Sequence, residues 1–164
     1  MTTSDRGGAG QTRKGAAVRR VGADRLLVKA DYEALAEFRY YLRRFLDFSQ
    51  RAARDFGLTP QQHQALLSIM GKPGDGLITI SELADHLLVK HHSAVELTDR
   101  LEALGLVQRQ TDETDRRRVL LSLTASAQDL LARMSSVHLE ELRRIGPQLT
   151  ALLAGLERDR AEVI

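Results

Sequence analysis

The stretch that decides the fold is 79–124, which reads TISELADHLLVKHHSAVELTDRLEALGLVQRQTDETDRRRVLLSLT. It begins with the signature of a capping box, because Glu82 stands three residues after Thr79 at the start of a periodic apolar pattern. We predict a short helix over 80–87 and, after a brief break, a second helix over 92–104. Two helices joined by so short a break indicate a helix-turn-helix.

Two strands and a basic loop follow the second helix. Gly105 can adopt the left-handed conformation that ends a helix. Residues 106–109 and 119–123 are typical of strands, and the segment 111–118 between them is polar and charged. This order predicts a β-hairpin with a positive tip, and a hairpin directly after a helix-turn-helix is a wing. The predicted fold class is therefore mainly α with a small β-wing (α+β), built on a winged helix-turn-helix core.

Long helical patterns flank this core. Residues 30–56 carry apolar side chains at spacings of three and four on more than one face, which predicts a helix buried on more than one side. A shorter helix begins at Pro60, and a last helical region covers 125–160, where Gly146-Pro147 predicts a kink or a break. Because the two outer helices are too apolar to stay single in water, their exposed sides should meet a partner chain or line a ligand cavity.

The composition fits one globular domain with a basic extension. The chain has 164 residues, of which 43% are hydrophobic, carries a net charge of +2 and contains no cysteine. The lack of cysteine excludes a disulfide scaffold and a thiolate metal site, and it fits a reducing cytoplasm, where we expect the protein. No apolar run approaches the ~20 residues that a membrane span needs, so we expect no membrane partner. We predict a disordered tail over 1–22 and a single domain over 23–164, in which 59–124 form the winged helix-turn-helix.

Two motifs resemble those of the MarR family, the multiple-antibiotic-resistance type of winged helix-turn-helix regulators. One is DRLEALGLVQR at 99–109, and the other is DRRRVLLSLT at 115–124, which matches the family's wing pattern D-x-R-x-x-x-L-x-L-T. The order of the elements over roughly 30–160 also resembles that of the family.

The resemblance implies a homodimeric transcriptional regulator, with a repressor favoured over an activator, that binds double-stranded DNA at a pseudo-palindromic operator. It also implies that the outer helices, over 30–56 and 125–160, form a dimerisation layer. Recognition helices would enter successive major grooves, wings would reach the minor groove, and a small aromatic or anionic effector would release the DNA. It implies no enzymatic activity and no cofactor, and the sequence has no phosphate-binding glycine loop or nucleophile elbow. Two alternatives stay open: a winged helix that binds another protein, and a DNA-binding protein that needs no effector.

The candidate DNA contacts lie on the second helix and on the wing. Ser93 suits phosphates or base edges, and Glu96 can accept a hydrogen bond from cytosine N4 or pair with Arg100. On the wing, arginine suits the electronegative minor groove, and Asp115 would orient Arg117 through a charge-assisted hydrogen bond. The predicted DNA-binding residues are His91, His92, Ser93, Glu96, Arg100, Asp115, Arg116, Arg117 and Arg118. The predicted buried face of the same helix contains Ala94, Leu97, Leu101 and Leu104.

A second candidate site concerns the effector. A histidine among aromatic side chains and a guanidinium suits an anionic aromatic molecule. The predicted residues of this site are Tyr40, Tyr41, Arg44, Phe45 and His63. The alternative for His63 is a partly buried histidine with hydrogen-bond partners, and we place His138 at the dimer interface or on the surface. The histidines at 86, 91 and 92 cluster in the sequence, but they lie on both sides of the break and no cysteine joins them, so we predict no metal site.

Overall fold

The computed structural model describes residues 27–74, 77–113, 115–116 and 118–161, with the backbone alone over 157–161. The tail predicted over 1–22 lies outside the described residues. The described part contains α1 (Lys29–Asp55), α2 (Pro60–Met70), β1 (Ile78–Thr79), α3 (Ile80–Leu87), α4 (His91–Ala103), β2 (Val107–Thr111), β3 (Val119–Leu123) and α5 (Ala125–Ala161). The predicted fold class, mainly α with a small β-wing, is confirmed.

The predicted helices and wing strands are found close to their expected positions, and the first differences concern α4 and β1. The helix α4 begins at His91, so this histidine is its first residue and not the residue before it. The strand β1 was not predicted, because two residues carry no periodic pattern. It pairs antiparallel with β3, and the register places Ile78 opposite Leu121. The sheet therefore has the strand order β1-β3-β2, with both pairs antiparallel.

Capping boxes set the starts of α2 and α3. At α3, the Thr79 hydroxyl accepts from the backbone N–H of Glu82 at 3.2 Å, and the Glu82 carboxylate accepts from the N–H of Thr79 at 2.8 Å. Thr59 and Gln62 form the same pair of bonds at α2, at 3.2 and 2.8 Å, with Pro60 at the first helical position. These bonds satisfy N–H groups that have no partner inside the helix.

The turn between α3 and α4 depends on a residue in the left-handed conformation. Leu88 has a φ of 54°, and the N–H of Val89 donates to the carbonyl of Ala84 at 3.0 Å, as in a Schellman motif. A leucine is uncommon at positive φ, and this side chain is 93% exposed. Gly105 has a φ of 67° just after α4, which confirms its predicted place at the end of that helix.

One hydrophobic core joins the helices of the winged region to the sheet. Leu66 of α2, Leu83 of α3, Leu101 of α4 and Leu121 of β3 are completely buried in it. Burying one such side chain contributes about 1.5–3 kcal/mol to the free energy of folding. The prediction for Leu104 is wrong, since its side chain is 57% exposed. It follows the last residue of α4, where the backbone turns away from the core.

Of the kink or break predicted at Gly146-Pro147, the break is wrong, because α5 continues through both residues as one helix. Proline removes the backbone donor that would reach the carbonyl four residues earlier, at Arg143. Both Pro147 and Arg143 are exposed, so water can bond that carbonyl in place of the missing donor. The helix loses one hydrogen bond there without ending.

The outer helices pack on each other and still leave apolar side chains in solvent. The contact between α1 and α5 buries Ala52 of α1 and Met134 of α5. The exposed apolar stripe of α1 follows helical spacing and consists of Tyr32, Leu35, Leu42 and Leu46. The corresponding exposed leucines of α5 are Leu139, Leu142 and Leu153. We call these seven side chains the apolar face; so many neighbouring exposed apolar groups are typical of a surface that another chain covers.

The carboxylate of Glu82 ties the start of α3 to the segment before β1. It accepts from Lys72 Nζ at 2.7 Å, and this hydrogen bond, followed by those from Thr79, lowers the pKa of Glu82 to about 2. Since the folded-state pKa lies below the ordinary value, Glu82 stabilises the fold above about pH 4.5. That stabilisation is lost as the pH falls toward 2.

We predict that Glu82→Gln keeps an acceptor for the Thr79 N–H but loses the ion pair with Lys72. The free energy of unfolding should fall by up to about 1 kcal/mol near neutral pH, as for a partly exposed ion pair, and this difference should shrink at about pH 3. Urea unfolding of both proteins at the two pH values measures it, with the exposed Glu37→Gln as a control. A difference of the same size at both pH values would contradict this account of Glu82.

Candidate nucleic-acid interface

The first turn of α4 presents polar side chains to solvent. His91 and His92 are exposed, and Ser93 is half-buried. The backbone N–H of Ser93 donates to the carbonyl of Lys90 at 3.0 Å, which closes the first turn. The partial positive charge of the helix N-terminus lies beside these side chains.

A cleft of about 400 Å³ opens between the first turn of α3, the start of α4 and the start of β3. We call it the basic cleft, and its lining residues are Thr79, Ile80, Ser81, His91, Arg118 and Val119. No acidic side chain is among these described lining residues, while a guanidinium and two helix N-termini surround the opening. These groups suit a phosphate, although two carboxylates from outside the lining pair with lining residues: Asp112 lies 3.5 Å from the Arg118 guanidinium, and Glu82 accepts from Thr79. Two of the predicted DNA-binding residues, His91 and Arg118, lie together in this cleft.

Ser81 is a lining residue that the sequence analysis missed. It is the second residue of α3 and is exposed, so its hydroxyl can donate to an oxygen in the basic cleft. The capping box before it was the available signal, because it fixes where the helix begins and hence which side chains surround the first turn.

A second groove, of about 260 Å³, separates α4 from α2. Ser93, Glu96 and Arg100 line it on one side, and Gln61 and Gln64 line it on the other. The two glutamines were not predicted as site residues. Among the described residues, no ion pair joins Glu96 to Arg100. The Glu96 carboxylate thus remains available to a donor from outside the chain, such as a base edge.

The wing holds Arg118 at its base and not at its tip, where the sequence analysis placed it. The guanidinium of Arg118 lies 3.5 Å from the carboxylate of Asp112, and the backbone N–H of Arg118 donates to the carbonyl of Asp115 at 2.8 Å. Arg118 directly precedes β3, and this position turns it toward the basic cleft. Arg116 is exposed on the loop. Arg117 lies outside the described residues, and so does its predicted hydrogen bond with Asp115.

Arg109 is a second residue that the sequence analysis missed. Its guanidinium forms ion pairs with Asp99 and with Glu102, the latter at 3.1 Å, so it joins β2 to α4. Its Nε is buried without an acceptor among the described residues. The pairs fix the orientation of the wing relative to α4. The two acids stand three residues apart on one helix face, which was the available signal, but their partner ten residues away could not be read from spacing.

The structure divides the five predicted effector residues into two groups. Tyr40 and Tyr41 have ring centroids 5.7 Å apart, and Arg44 stacks over Tyr40 at 5.8 Å. Phe45 and His63 instead meet elsewhere, around the ring of a buried histidine. The five residues therefore do not line one pocket in this structure.

That buried histidine is His138, and its prediction as an interface or surface residue is wrong. It is 8% exposed, and its ring lies 4.6 Å from that of His63 and 6.2 Å from that of Phe45, measured between centroids. Met134 and His138 are one helical turn apart, so both point from α5 into the protein. Burial, followed by the charge of His138, lowers the pKa of His63.

The described residues contain no cluster of three or more acidic or histidine side chains that could hold a metal ion. Likewise, none of the described helices is both long and apolar enough to span a bilayer.

Comparison with known sequences gives a family and a relative. The profile of the MarR family matches residues 56–118, from the end of α1 into the wing. A protein from Thauera aromatica, provisionally named as a transcriptional regulatory protein for the hcr operon, is 32% identical over 127 residues. The match covers 74% of this chain and 72% of that protein.

Solved structures share the fold. AbsC, a MarR family transcriptional regulator from Streptomyces coelicolor, matches with a TM-score of 0.65 at 23% identity, over 84% of this chain and 93% of its own. A mutant of MarR from E. coli complexed with operator DNA matches with a TM-score of 0.61 at 23% identity, over 80% and 94%. A mutant of MepR from S. aureus bound to an oligodeoxyribonucleotide matches at 0.57 and 22%, over 81% and 98%. With the identity to the Thauera protein over most of both chains, these matches show that the chain belongs to the MarR family, a family of transcriptional regulators and not of enzymes.

Proposed function

We propose that the protein is a homodimeric, sequence-specific regulator, acting as a repressor, that binds double-stranded DNA at an inverted-repeat operator. In this proposal α4 enters the major groove, where the base edges present a full donor and acceptor code. The wing follows the backbone to the minor groove, where arginine is favoured. Such a regulator works on the chromosome, and the proposal places it in the cytoplasm.

The basic cleft is the observation that carries this proposal. A DNA phosphate in the cleft would meet the Ser81 hydroxyl, the His91 imidazole and the Arg118 guanidinium. Contacts of this kind fix the register of a protein on the duplex and leave the bases to other side chains. From that position the exposed side chains of His92 and Glu96 on α4 would lie toward the groove.

Two of the related structures support DNA as the partner. The MarR mutant is a complex with operator DNA, and the MepR mutant is bound to an oligodeoxyribonucleotide. Both matches extend over about four-fifths of this chain. A shared fold with these proteins supports the same docking of α4 and the wing.

The apolar face supports a dimer. Pairing the α1 and α5 faces of two copies would remove these exposed side chains from water, at about 25 cal/mol for each Å² of apolar surface buried. It would also hold two α4 helices apart, and a helix-turn-helix dimer reads half-sites about 34–36 Å from centre to centre. An inverted repeat in the DNA then matches the two-fold symmetry of the protein.

Release by a small anionic or aromatic effector remains part of the proposal, with Arg44 and Tyr40 as the exposed candidates on α1. A guanidinium stacked on a phenol ring presents both a cation and an aromatic surface to such a molecule. A regulator that binds DNA without any effector is the alternative, and adding benzoate-type anions to the protein–DNA complex distinguishes the two.

Ser81→Asp tests the basic cleft directly. An acidic residue in the first turn of α3 favours the helix, so the fold should keep or gain stability, while the new charge should repel a phosphate. We expect the affinity for operator DNA to fall by about tenfold or more, equivalent to ~1.4 kcal/mol, in a fluorescence anisotropy titration. Ser136→Asp, on the exposed face of α5, controls for the added charge and should bind like wild type. Equal affinities of the two variants would rule the cleft out as a phosphate site.

Glu96→Gln tests base readout by α4. If the carboxylate accepts from a cytosine, its replacement should change the preferred base at one position of each half-site by about 1–3 kcal/mol and leave other positions unchanged. Binding-site selection with both proteins, and with Glu140→Gln on α5 as a control, measures this. A uniform loss of affinity on all sequences would indicate a structural role for Glu96 instead.

Leu35→Asp tests the dimer. A carboxylate in the apolar face of α1 would lose its water on pairing, so the variant should sediment as a monomer at concentrations where the wild type is a dimer. Leu88→Asp makes the same exchange at the exposed turn between α3 and α4 and should leave the dimer intact. The dimer proposal fails if the Leu35 variant sediments as wild type does.

A further inference from the structure

Three helices meet at a buried pair of histidines. His63 of α2 and His138 of α5 are 3% and 8% exposed, and their ring centroids are 4.6 Å apart with an interplanar angle of 43°. Ser49 of α1 completes the junction, because its hydroxyl lies 3.0 Å from Nε2 of His138. The pair therefore joins α2, which belongs to the winged region, to the α1–α5 layer.

The hydrogen bonds of the junction define one protonation state. Nδ1 of His138 lies 2.8 Å from the carbonyl of Met134, and a carbonyl can only accept, so Nδ1 carries the proton. In the neutral ring Nε2 then accepts from the Ser49 hydroxyl. Nδ1 of His63 is buried and has no partner among the described residues. An unpartnered polar atom inside a protein is costly and marks this ring as the weak point of the junction.

No charge among the described residues is placed to balance two imidazolium rings. Helix α2 has no charged side chain besides His63 itself. On α5, Glu141 follows His138 by three residues, but its carboxylate is bonded to Arg144 at 2.6 and 2.8 Å. On α1, the cations Arg44 and Arg51 help to lower the pKa of Glu141, and the carboxylate of Asp47 is paired with Arg51 at 2.9 Å.

The packing next to the rings is aromatic. The centroid of Phe48 lies 5.5 Å from that of His138, and that of Phe45 lies 6.2 Å from it, both edge to face. Among the described residues, no carboxylate lies within ion-pair distance of either histidine. One proton can be accommodated, since Nε2 of His138 could donate to Ser49. A second proton would place two like charges in contact in a dry, apolar setting.

We propose that the His63–His138 pair is a proton-sensitive link between the winged region and the α1–α5 layer, and that acid opens this link and thereby weakens DNA binding. The inference rests on the proposed function. The neutral pair holds α2 on the layer that sets the distance between two α4 helices. When the pair takes up its second proton, α2 is released and the two helices no longer keep the spacing of the half-sites.

The expected direction of the pH effect on DNA affinity distinguishes this link from the histidines of the interface. Any positive charge that the interface gains beside phosphates strengthens DNA binding. Protonation of the buried pair acts in the opposite direction. In the folded protein the pKa of His63 is lowered, so the unfolded chain binds more protons below the ordinary value of 6.5. The stabilisation by this junction is therefore complete above that pH and is lost as the pH falls below it.

His63→Phe tests the link without DNA. Phenylalanine continues the aromatic packing, removes the unpartnered nitrogen and cannot take up a proton. Below pH ~6.5, the ratio of folded to unfolded protein should fall more steeply with decreasing pH for the wild type than for the variant. The extra fall is up to about tenfold for each pH unit. Urea unfolding at fixed protein concentration measures the ratio, and the exposed His86→Gln should follow the wild type. Identical pH dependences of wild type and His63→Phe would overturn the proposal.

A second experiment measures DNA binding. At about pH 8 wild type and His63→Phe should bind the same duplex within twofold, and at about pH 5.5 the variant should bind about tenfold more tightly. If the DNA affinities of wild type and His63→Phe change in the same way with pH, the proposed link to DNA binding is overturned. If wild type binds no duplex even at pH 8, the proposed function fails, and the unfolding arm alone then decides whether the pair is proton-sensitive.

A measurement on the unaltered protein covers the case in which His63→Phe does not fold. An NMR titration of the imidazole nitrogens should show one of the five histidines keeping its neutral form well below pH 6.5. Five rings that all titrate near the ordinary value would overturn the proposal.

Discussion

The winged region depends on the burial of a few leucines from four different elements in one place. Leu66, Leu83, Leu101 and Leu121 leave no surface in solvent, so α2, α3, α4 and β3 cannot shift separately. This packing positions the first turns of α3 and α4 beside the start of β3, where the basic cleft forms. Arg109 then fixes β2 on α4 through two carboxylates. The polar surface proposed to meet DNA is thus oriented by apolar contacts underneath it and by one cation at its edge.

The packing of the outer helices differs from that of the winged region. α1 and α5 bury one side against each other and leave the apolar face in water, which a second copy of the chain would cover. Between this layer and the winged region the contact includes a polar and poorly satisfied pair, His63 and His138. A junction built from leucines would be indifferent to pH, whereas the proposed link would lose stability in acid. The proposed responsive element therefore lies between the surface proposed to bind DNA and the surface proposed to pair subunits.

Local chemistry made much of this structure predictable. Thr79 with Glu82, Pro60 after Thr59, and Gly105 each fix a helix end by bonds within a few residues, so sequence sufficed for them. The misses all depend on distant contacts or on solvent. β1 exists only because β3 pairs with it, Arg109 finds acids on another element, and His138 is buried by helices far away in the chain. For the site, sequence indicated the exposed residues of α4, while Ser81 and the glutamines of α2 became visible only when the helices were placed side by side.

Selection from a random duplex pool, followed by titration of the selected duplex at two salt concentrations, tests the central claim most directly. The account predicts an inverted repeat whose half-sites are one helical turn apart, and an affinity whose logarithm falls linearly with the logarithm of the salt concentration. The slope reports how many phosphates the basic cleft and the wing neutralise together. No enriched sequence, with weak binding that salt does not change, would contradict a DNA-binding function for the winged region and favour a protein partner in its place.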